Sequence, residues 1–272
     1  MDLVYVNVKS NWNSNELRFS LRSAEKFLSF DKVFIIGYLP EFISPYKVIH
    51  IPFTDNPAQK YKSVNAKVRL ILENPDISED FIFMNDDFWL LKEWKTIPYY
   101  YYRTLADRIK YRTGGTYLKR LENTLKIFPN GLNYELHCPI VFNKEKLKKV
   151  LEKYGEEVER RSIYCNEYKV PSVEMRDYKI FRLKDLVFLK DAPFFSADDT
   201  IVLRPEFQKF IFSLFPKPSY FEVDDLDKMK QKKEKLIKTI ELYKKKNYQK
   251  YLKKKKELEN KLKFLNLICQ EK

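Results

Sequence analysis

The 272-residue sequence predicts an α/β protein, an open sheet with flanking helices, followed by a long Lys-rich C-terminal helical segment. Three observations predict it. Strand-like and helix-like segments alternate over residues 2–84 in the order strand, helix, strand, strand, helix, strand. Two of those strands, 33–37 and 81–84, are continuously apolar, as parallel strands covered on both faces are. Residues 222–272 contain no Gly or Pro and carry apolar residues at helical spacing.

The elements follow in order. Residues 2–8 form the first strand. A helix runs from about Asn15 to Phe27, with Leu17, Leu21, Ala24 and Leu28 on one face. The strand 33–37 follows, then a short strand over 47–51. Pro52, Asn56 and Pro57 mark a loop. Residues 63–73 read as a helix, 78–80 as a turn and 81–84 as a strand. Ligands of such sheets bind beyond the carboxyl ends of the strands. This singles out Asn7, Gly37-Tyr38, Pro52-Phe53 and Asn85-Asp86-Asp87. Residues 94–131 are aromatic and basic and hold the paired Gly114-Gly115, a candidate lid hinge. Residues 132–215 supply shorter elements and further polar clusters. Two domains are expected, a catalytic one over 1–220 and a basic helical extension over 221–272. Leu236, Ile240 and Tyr243, then Leu258, Leu262 and Leu265, give that extension a narrow apolar stripe. One long helix or a helical hairpin fits it, lying against the domain or against a second copy in a homo-oligomer.

Composition narrows the function classes. Hydrophobic residues make up 44% and aromatics 16%, enough for a substantial core. With five glycines and no Gly-rich phosphate loop, the dinucleotide-binding and P-loop fingerprints are excluded. Cys138, Cys165 and Cys269 stand far apart and form no zinc set, which suits a reducing compartment. The chain runs straight into a strand-like segment rather than a signal peptide, and no apolar run reaches about 18 residues. A cytoplasmic protein without a transmembrane segment is expected. The net charge of +14 is uneven: residues 223–272 carry 17 Lys against 8 Asp or Glu, a net of +9. Such a segment suits an anionic partner, such as DNA, a polysaccharide or an acidic membrane surface, or is simply a solvated Lys-rich helix.

Asp86 and Asp87 follow four apolar residues, with only Asn85 between. Two adjacent carboxylates at a buried strand end repel each other and are costly to desolvate. A hard divalent cation, Mn²⁺ or Mg²⁺, removes that cost and keeps positions for phosphate or water. A polar turn is the plainer alternative. Arg18 and Arg22 stand at i and i+4 and project from one helical face. They suit a diphosphate, or ion pairs with Glu25 or an acidic loop. Asn7, Asn65 and Lys67 are further candidate contacts to sugar or phosphate; for Asn65 and Lys67, helix capping and solvated charge are the alternatives. His137, in a segment closed by Pro139, can be a general base, a general acid or a metal ligand, or a satisfied core histidine. His50 reads as structural. Arg161, in the cluster Arg160-Arg161-Ser162, is a candidate substrate contact. Asp177 and the pair Asp198-Asp199, with Asp198 foremost, are candidate catalytic carboxylates, each with a plain turn or cap as alternative. Tyr99 to Tyr102 followed by Arg103, Arg108, Lys110 and Arg112 set aromatics beside cations, a surface for sugars, bases and phosphates or a packing segment.

The stretches Asn15-Glu16-Leu17-Arg18-Phe19-Ser20-Leu21-Arg22-Ser23, Lys32-Val33-Phe34-Ile35-Ile36-Gly37 and Phe81-Ile82-Phe83-Met84-Asn85-Asp86-Asp87-Phe88 together resemble the central region of the Stealth proteins. Those are bacterial capsular-polysaccharide phosphotransferases and their relatives. Short phage-encoded proteins of glycosyltransferase type share the pattern. The start, Asp2-Leu3-Val4-Tyr5, is similar to the family's first region but lacks the Trp-Val-Asp-Gly that follows there. The resemblance covers residues 2–92 well and continues weakly through His137, where the family carries a His in a comparable late region. It implies a GT-A-like nucleotide-sugar fold and a metal at Asp86 or Asp87.

The expected function is therefore metal-dependent transfer from a nucleotide-sugar donor to an acceptor such as modified DNA or a glycan. Sugar-1-phosphate transfer of the Stealth type is the first alternative. A non-catalytic nucleic-acid-binding protein on a degenerate GT-A fold, acting through the basic segment and the tyrosine run, is the second.

Overall fold

The structure is a computed structural model. It describes residues 1–112, 114–246 and 248–270, with side chains throughout except at 243–244, 246, 248–253 and 270. In chain order the elements are β1 (Asp2–Asn7), α1 (Asn15–Phe27), β2 (Val33–Gly37), β3 (Ile49–Pro52), α2 (Lys60–Glu73), β4 (Asp80–Asn85), β5 (Trp89–Leu90) and β6 (Tyr99–Tyr101). Then come α3 (Leu105–Lys110), α4 (Gly115–Ile127), β7 (Ile140–Asn143), α5 (Lys144–Tyr154), α6 (Arg160–Glu167), β8 (Ser172–Glu174), β9 (Lys179–Ile180), β10 (Phe194–Ala197) and α7 (Pro205–Leu214). Two long helices end the chain, α8 (Asp225–Lys246) and α9 (Tyr248–Gln270).

The fold class is the expected α/β open sheet with flanking helices. The main sheet has the order β3-β2-β1-β4-β7. β1, β2, β3 and β4 run parallel, and β7 runs antiparallel to β4. Every residue of β1 and β2 is buried, which is why both read as apolar runs without alternation. The core on one side of this sheet gathers Val4, Phe34, Val68, Ile71, Phe81, Phe83 and Phe142 with residues of α5 and α6. α1 turns Leu17, Phe19, Leu21 and Ala24 inward, all fully buried. The second helix begins at Lys60, earlier than the apolar spacing suggested. A 3-10 turn over Pro57–Gln59 leads into it, with Asn56 Oδ1 accepting the Ala58 N–H at 3.0 Å. The paired glycines start α4, Gly114 with φ 134 and Gly115 with φ 88.

A smaller sheet, β5-β10-β9, pairs Trp89 with Phe195 and Lys179 with Ser196. It brings segments from three distant parts of the chain beside the end of β4. Trp89, Phe195 and Phe207 form an aromatic cluster behind it, with ring centroids 5.0 and 5.7 Å from Trp89.

The chain divides into two compact units. One is Met1–Pro40 with Lys47–Tyr220, and the other is Glu41–Tyr46 with the chain from Phe221 onward. In the second unit Ser44 N–H donates to Phe221 O at 2.8 Å and Val223 N–H to Phe42 O at 2.9 Å. α8 and α9 pack as a hairpin, with Ile240 and Leu258 buried between Leu236 and Leu262. The Tyr243 side chain of the expected stripe lies outside the described residues. No helix among the described residues is long and apolar enough to cross a membrane.

Candidate active site

The register of the parallel strands lines up their carboxyl ends. Asn7 stands opposite Gly37, Gly37 opposite Pro52, and Val6 opposite Asn85. Gly37 has φ +120, and a Cβ there would overlap the Asn7 carbonyl oxygen and crowd Lys67 Nζ. Only glycine fits this approach. Lys67, on α2, is 2% exposed and donates to Asn7 O at 2.8 Å and to Asp55 Oδ1 at 2.7 Å. It thus ties the end of β1 to the loop after β3. Asn7 donates its Nδ2 to Tyr38 O at 2.6 Å, while its buried Oδ1 has no hydrogen-bond partner among the described residues.

Asp86 and Asp87 follow β4, half-buried in the cleft at its end. Burial pushes the Asp86 carboxyl well above the ordinary range; the charges of Asp87 and Glu16 add to the rise, and Lys67 opposes it. Asp87 is also raised, by burial and by Asp199, against the pull of His137 and Lys179. Glu16, on α1, is raised by burial and by the same two neighbours, Asp87 and Asp199. The cleft is therefore an acidic site that resists full ionisation.

α1 fixes the segment that carries the pair. Ser20 Oγ donates to Phe88 O at 2.6 Å and lies 3.0 Å from Tyr5 Oη; Leu90 N–H donates to Ser23 Oγ at 3.1 Å; Trp89 Nε1 donates to Glu16 O at 3.2 Å. Three backbone or ring groups within three residues of Asp87 are thus held by one helix.

His137 and Asp177, forty residues apart, meet beside this pair. His137 Nδ1 lies 2.7 Å from Asp177 Oδ2, and the His137 backbone N–H donates to Asp177 Oδ1 at 3.1 Å. Lys179 Nζ lies 3.2 Å from His137 Nε2. An ammonium only donates, so Nε2 is the accepting nitrogen and Nδ1 carries the proton given to Asp177. Burial pushes the Asp177 carboxyl up, but the His137 bonds and the charge of Arg108 outweigh it and hold it below its usual range. Arg161 grips the same segment, one guanidinium nitrogen on Leu136 O and another on Cys138 O. Phe88 meets the His137 ring edge to face at 6.0 Å.

The remaining sequence candidates are placed as follows. Arg22 is buried, donates Nη1 to Phe215 O at 2.8 Å and lies over Phe19 at 5.1 Å, so it joins α1 to the end of α7. Arg18 is half-buried on the same helix. Asn65 accepts from Arg160 Nη2 at 2.5 Å and donates to Glu156 at 3.3 Å. Asp198 Oδ1 accepts the Thr200 N–H at 3.0 Å and hydroxyl at 2.7 Å, a local turn that holds its carboxyl below the usual range. Its neighbour Asp199 is the one whose charge reaches Asp87 and Glu16. Sequence reasoning gives no role to Glu16 or Lys179, and reads Asp199 with Asp198 as one candidate carboxylate pair. Lys179 had a signal, lying two residues after Asp177, on the same side of an extended chain; Glu16 had none, because a buried carboxylate on an amphipathic helix looks like its N-terminal charge.

A cavity of about 370 Å³ opens against this site. Phe83, Asn85, Phe88 and His137 line it together with Tyr61, Tyr117, five arginines and the carboxylates Glu135 and Glu159, among others.

The carboxylate pair suits a hard divalent cation. Among the described residues no three His, Cys, Asp or Glu side chains converge as a closed metal set. One or two carboxylates, completed by substrate phosphate and water, are what Mg²⁺ and similar ions use. The raised carboxyl groups are the charge that such an ion would offset.

Comparison with known proteins gives structural likeness only. No family profile matches the chain, and no curated protein matches it. Among solved structures it is similar to the galactosyltransferase LgtC in complex with donor and acceptor sugar analogs, at 11% identity and TM-score 0.46, over 80% of this chain and 98% of that one. An active-site mutant of LgtC follows at 11% identity and TM-score 0.42, over 71% and 79%. The apo form of the glycosyltransferase GlyE of Streptococcus pneumoniae TIGR4 is similar at 13% identity and TM-score 0.41, over 79% and 60%.

Proposed function

We propose that this chain is a metal-dependent glycosyltransferase, moving a sugar from a nucleotide-diphosphate donor to an acceptor hydroxyl. The observation that carries the reading is one juxtaposition. A desolvated, mutually repelling carboxylate pair sits at the carboxyl end of a parallel strand, beside an Asp177–His137–Lys179 chain, next to a cavity that Asn85, Phe88 and His137 line. A carboxylate pair alone is a common turn; beside a tautomer-fixed imidazole in a cleft it has a chemical use.

Asp86 and Asp87 would hold a divalent cation, Mn²⁺ or Mg²⁺. Bound there, it neutralises the charge that develops on the leaving diphosphate. The strand-end row of Asn7, Gly37 and Lys67 supplies polar groups for the nucleotide flank, and the unpartnered Asn7 Oδ1 accepts a donor hydroxyl or N–H there. In the transfer, the acceptor oxygen forms a bond to the anomeric carbon. The bond from that carbon to the diphosphate oxygen breaks, and the diphosphate leaves with the electron pair. The acceptor proton passes to His137 Nε2 once Lys179 gives up its contact. Asp177 then faces an imidazolium and stabilises it across 2.7 Å.

The test is nucleotide release from a panel of UDP-sugars with Mn²⁺. Slow release that stops in EDTA, and in Asp86→Asn and Asp87→Asn, is the expected result. Full activity of both variants in EDTA would sink the assignment. His137→Gln should lower transfer by about 10²–10⁴-fold while leaving UDP binding intact.

A further inference from the structure

The cavity beside His137 carries more positive charge than the reaction requires. Arg108, Arg112, Arg120, Arg160 and Arg161 line it, against Glu135 and Glu159. Both carboxylates are engaged already. Glu135 accepts the Ser162 N–H at 2.8 Å and hydroxyl at 3.0 Å, and Glu159 accepts Arg120 Nε at 2.8 Å. Arg161 is spent on the carbonyls flanking His137. Arg160 has its bond to Asn65, but its Nε and those of Arg108 and Arg161 are buried without a hydrogen-bond partner among the described residues. A buried cationic donor without an acceptor is unfavourable, and a bound anion removes that cost.

The guanidiniums are also held in place. Arg120 lies 3.6 Å from the Tyr61 ring centroid and Arg112 lies 5.0 Å from that of Tyr117. Stacked guanidiniums present their fork edges, the geometry that grips the two oxygens of a phosphate or carboxylate. The tyrosine faces and Phe88 offer apolar surface of the kind a sugar ring covers. No residue before Tyr61 lines the cavity. Of the parallel strands only β4 contributes to it, through Phe83 and Asn85, while the row of Asn7 and Gly37 belongs to β1 and β2.

We propose that this cavity is an anion-binding acceptor subsite, which takes a saccharide bearing a phosphate ester or a carboxylate and delivers its hydroxyl to His137. The word acceptor rests on the transferase reading above; the anionic-saccharide site does not. Arg108, Arg112 and Arg160 grip the anion, and the tyrosines cover the ring.

Calorimetric titration of the full-length, metal-free protein with glucose 6-phosphate, glucuronate and glucose tests this. At least one of the two anionic sugars should bind, with glucose at least tenfold weaker, and the tighter of the two identifies the anion. Arg108→Gln and Arg112→Gln should each weaken that binding about tenfold to a hundredfold, the range for a charge-assisted hydrogen bond. Saturating UDP with Mn²⁺ should leave it unchanged within about twofold, and the Asp86→Asn/Asp87→Asn double variant should retain it. That variant separates failure of the transferase reading from failure of the subsite. Equal affinity for glucose and both anionic sugars, absence of binding by either anion, or displacement by UDP would overturn the proposal; displacement would assign the cavity to the donor diphosphate.

Discussion

At Asp86 and Asp87 burial and mutual repulsion both oppose ionisation, so the metal-free fold is under electrostatic load. Carboxyl groups raised in the folded state contribute stability at pH below their ordinary values and lose it as pH rises through the folded ones. Asp87→Asn should therefore raise the metal-free Tm at pH 7–8, with a smaller gain as the pH is lowered toward the ordinary carboxylate range. Added Mn²⁺ should raise the wild-type Tm and not the variant's. Differential scanning fluorimetry across pH, with and without metal, reads both. Glu159 obeys the same sign. Burial, then Glu135, pushes it up to about 8 against the pull of Arg120. Stability should fall as pH rises from about 5 to 9, and Glu159→Gln, which still accepts from Arg120, should flatten that fall.

At the scale of the element, α1 and α2 do different work for the same site. α1 holds the backbone after the acidic pair through Ser20 and Ser23. Ser20→Ala would strand the buried Phe88 carbonyl and the Tyr5 hydroxyl, at a cost of about 1–3 kcal/mol. A Tm lowered by several degrees is expected, together with a higher Mn²⁺ concentration for half-maximal nucleotide release. An unchanged Mn²⁺ midpoint would mean that α1 is only scaffold. α2 contributes Lys67, whose ammonium is almost fully buried against Asp55. Lys67→Met removes one partner of a buried pair, a change worth about 3–5 kcal/mol, and chemical denaturation should show it. The motif 15–23 that carries the sequence resemblance thus has a physical role here. Its serines and the Glu16 carbonyl hold residues 88–90, just after the acidic pair, and Arg22 donates to the Phe215 carbonyl at the end of α7.

At the scale of the molecule, charge and chemistry are divided between the two compact units. Every residue of the proposed site belongs to Met1–Pro40 and Lys47–Tyr220. The α8–α9 hairpin holds most of the excess charge, with Lys254, Lys255 and Lys256 exposed. If the hairpin engages a polyanionic acceptor such as DNA, binding should weaken steeply with salt, since such attraction is screened over about 8 Å at physiological ionic strength. Replacing those three lysines by Gln should reduce the slope of log K against log salt by up to about 2–3 for duplex DNA, while nucleotide release from the donor stays as it was. A salt-independent affinity would remove the hairpin from recognition. The sequence by itself determined the parallel strands, because residues covered on both faces must be apolar, and it determined the hairpin's helices, because nothing in 222–272 interrupts them. It also marked Asp86 and Asp87, since acidic residues directly after a buried strand are costly without a purpose. Tertiary structure alone decided that His137 meets Asp177 and Lys179, that the charge of Asp199 reaches Asp87 and Glu16, and that five arginines share one cavity. Those pairings are set by where β4, β7, β9 and α6 come together, and sequence periodicity reports which face of an element is buried but not which other element covers it.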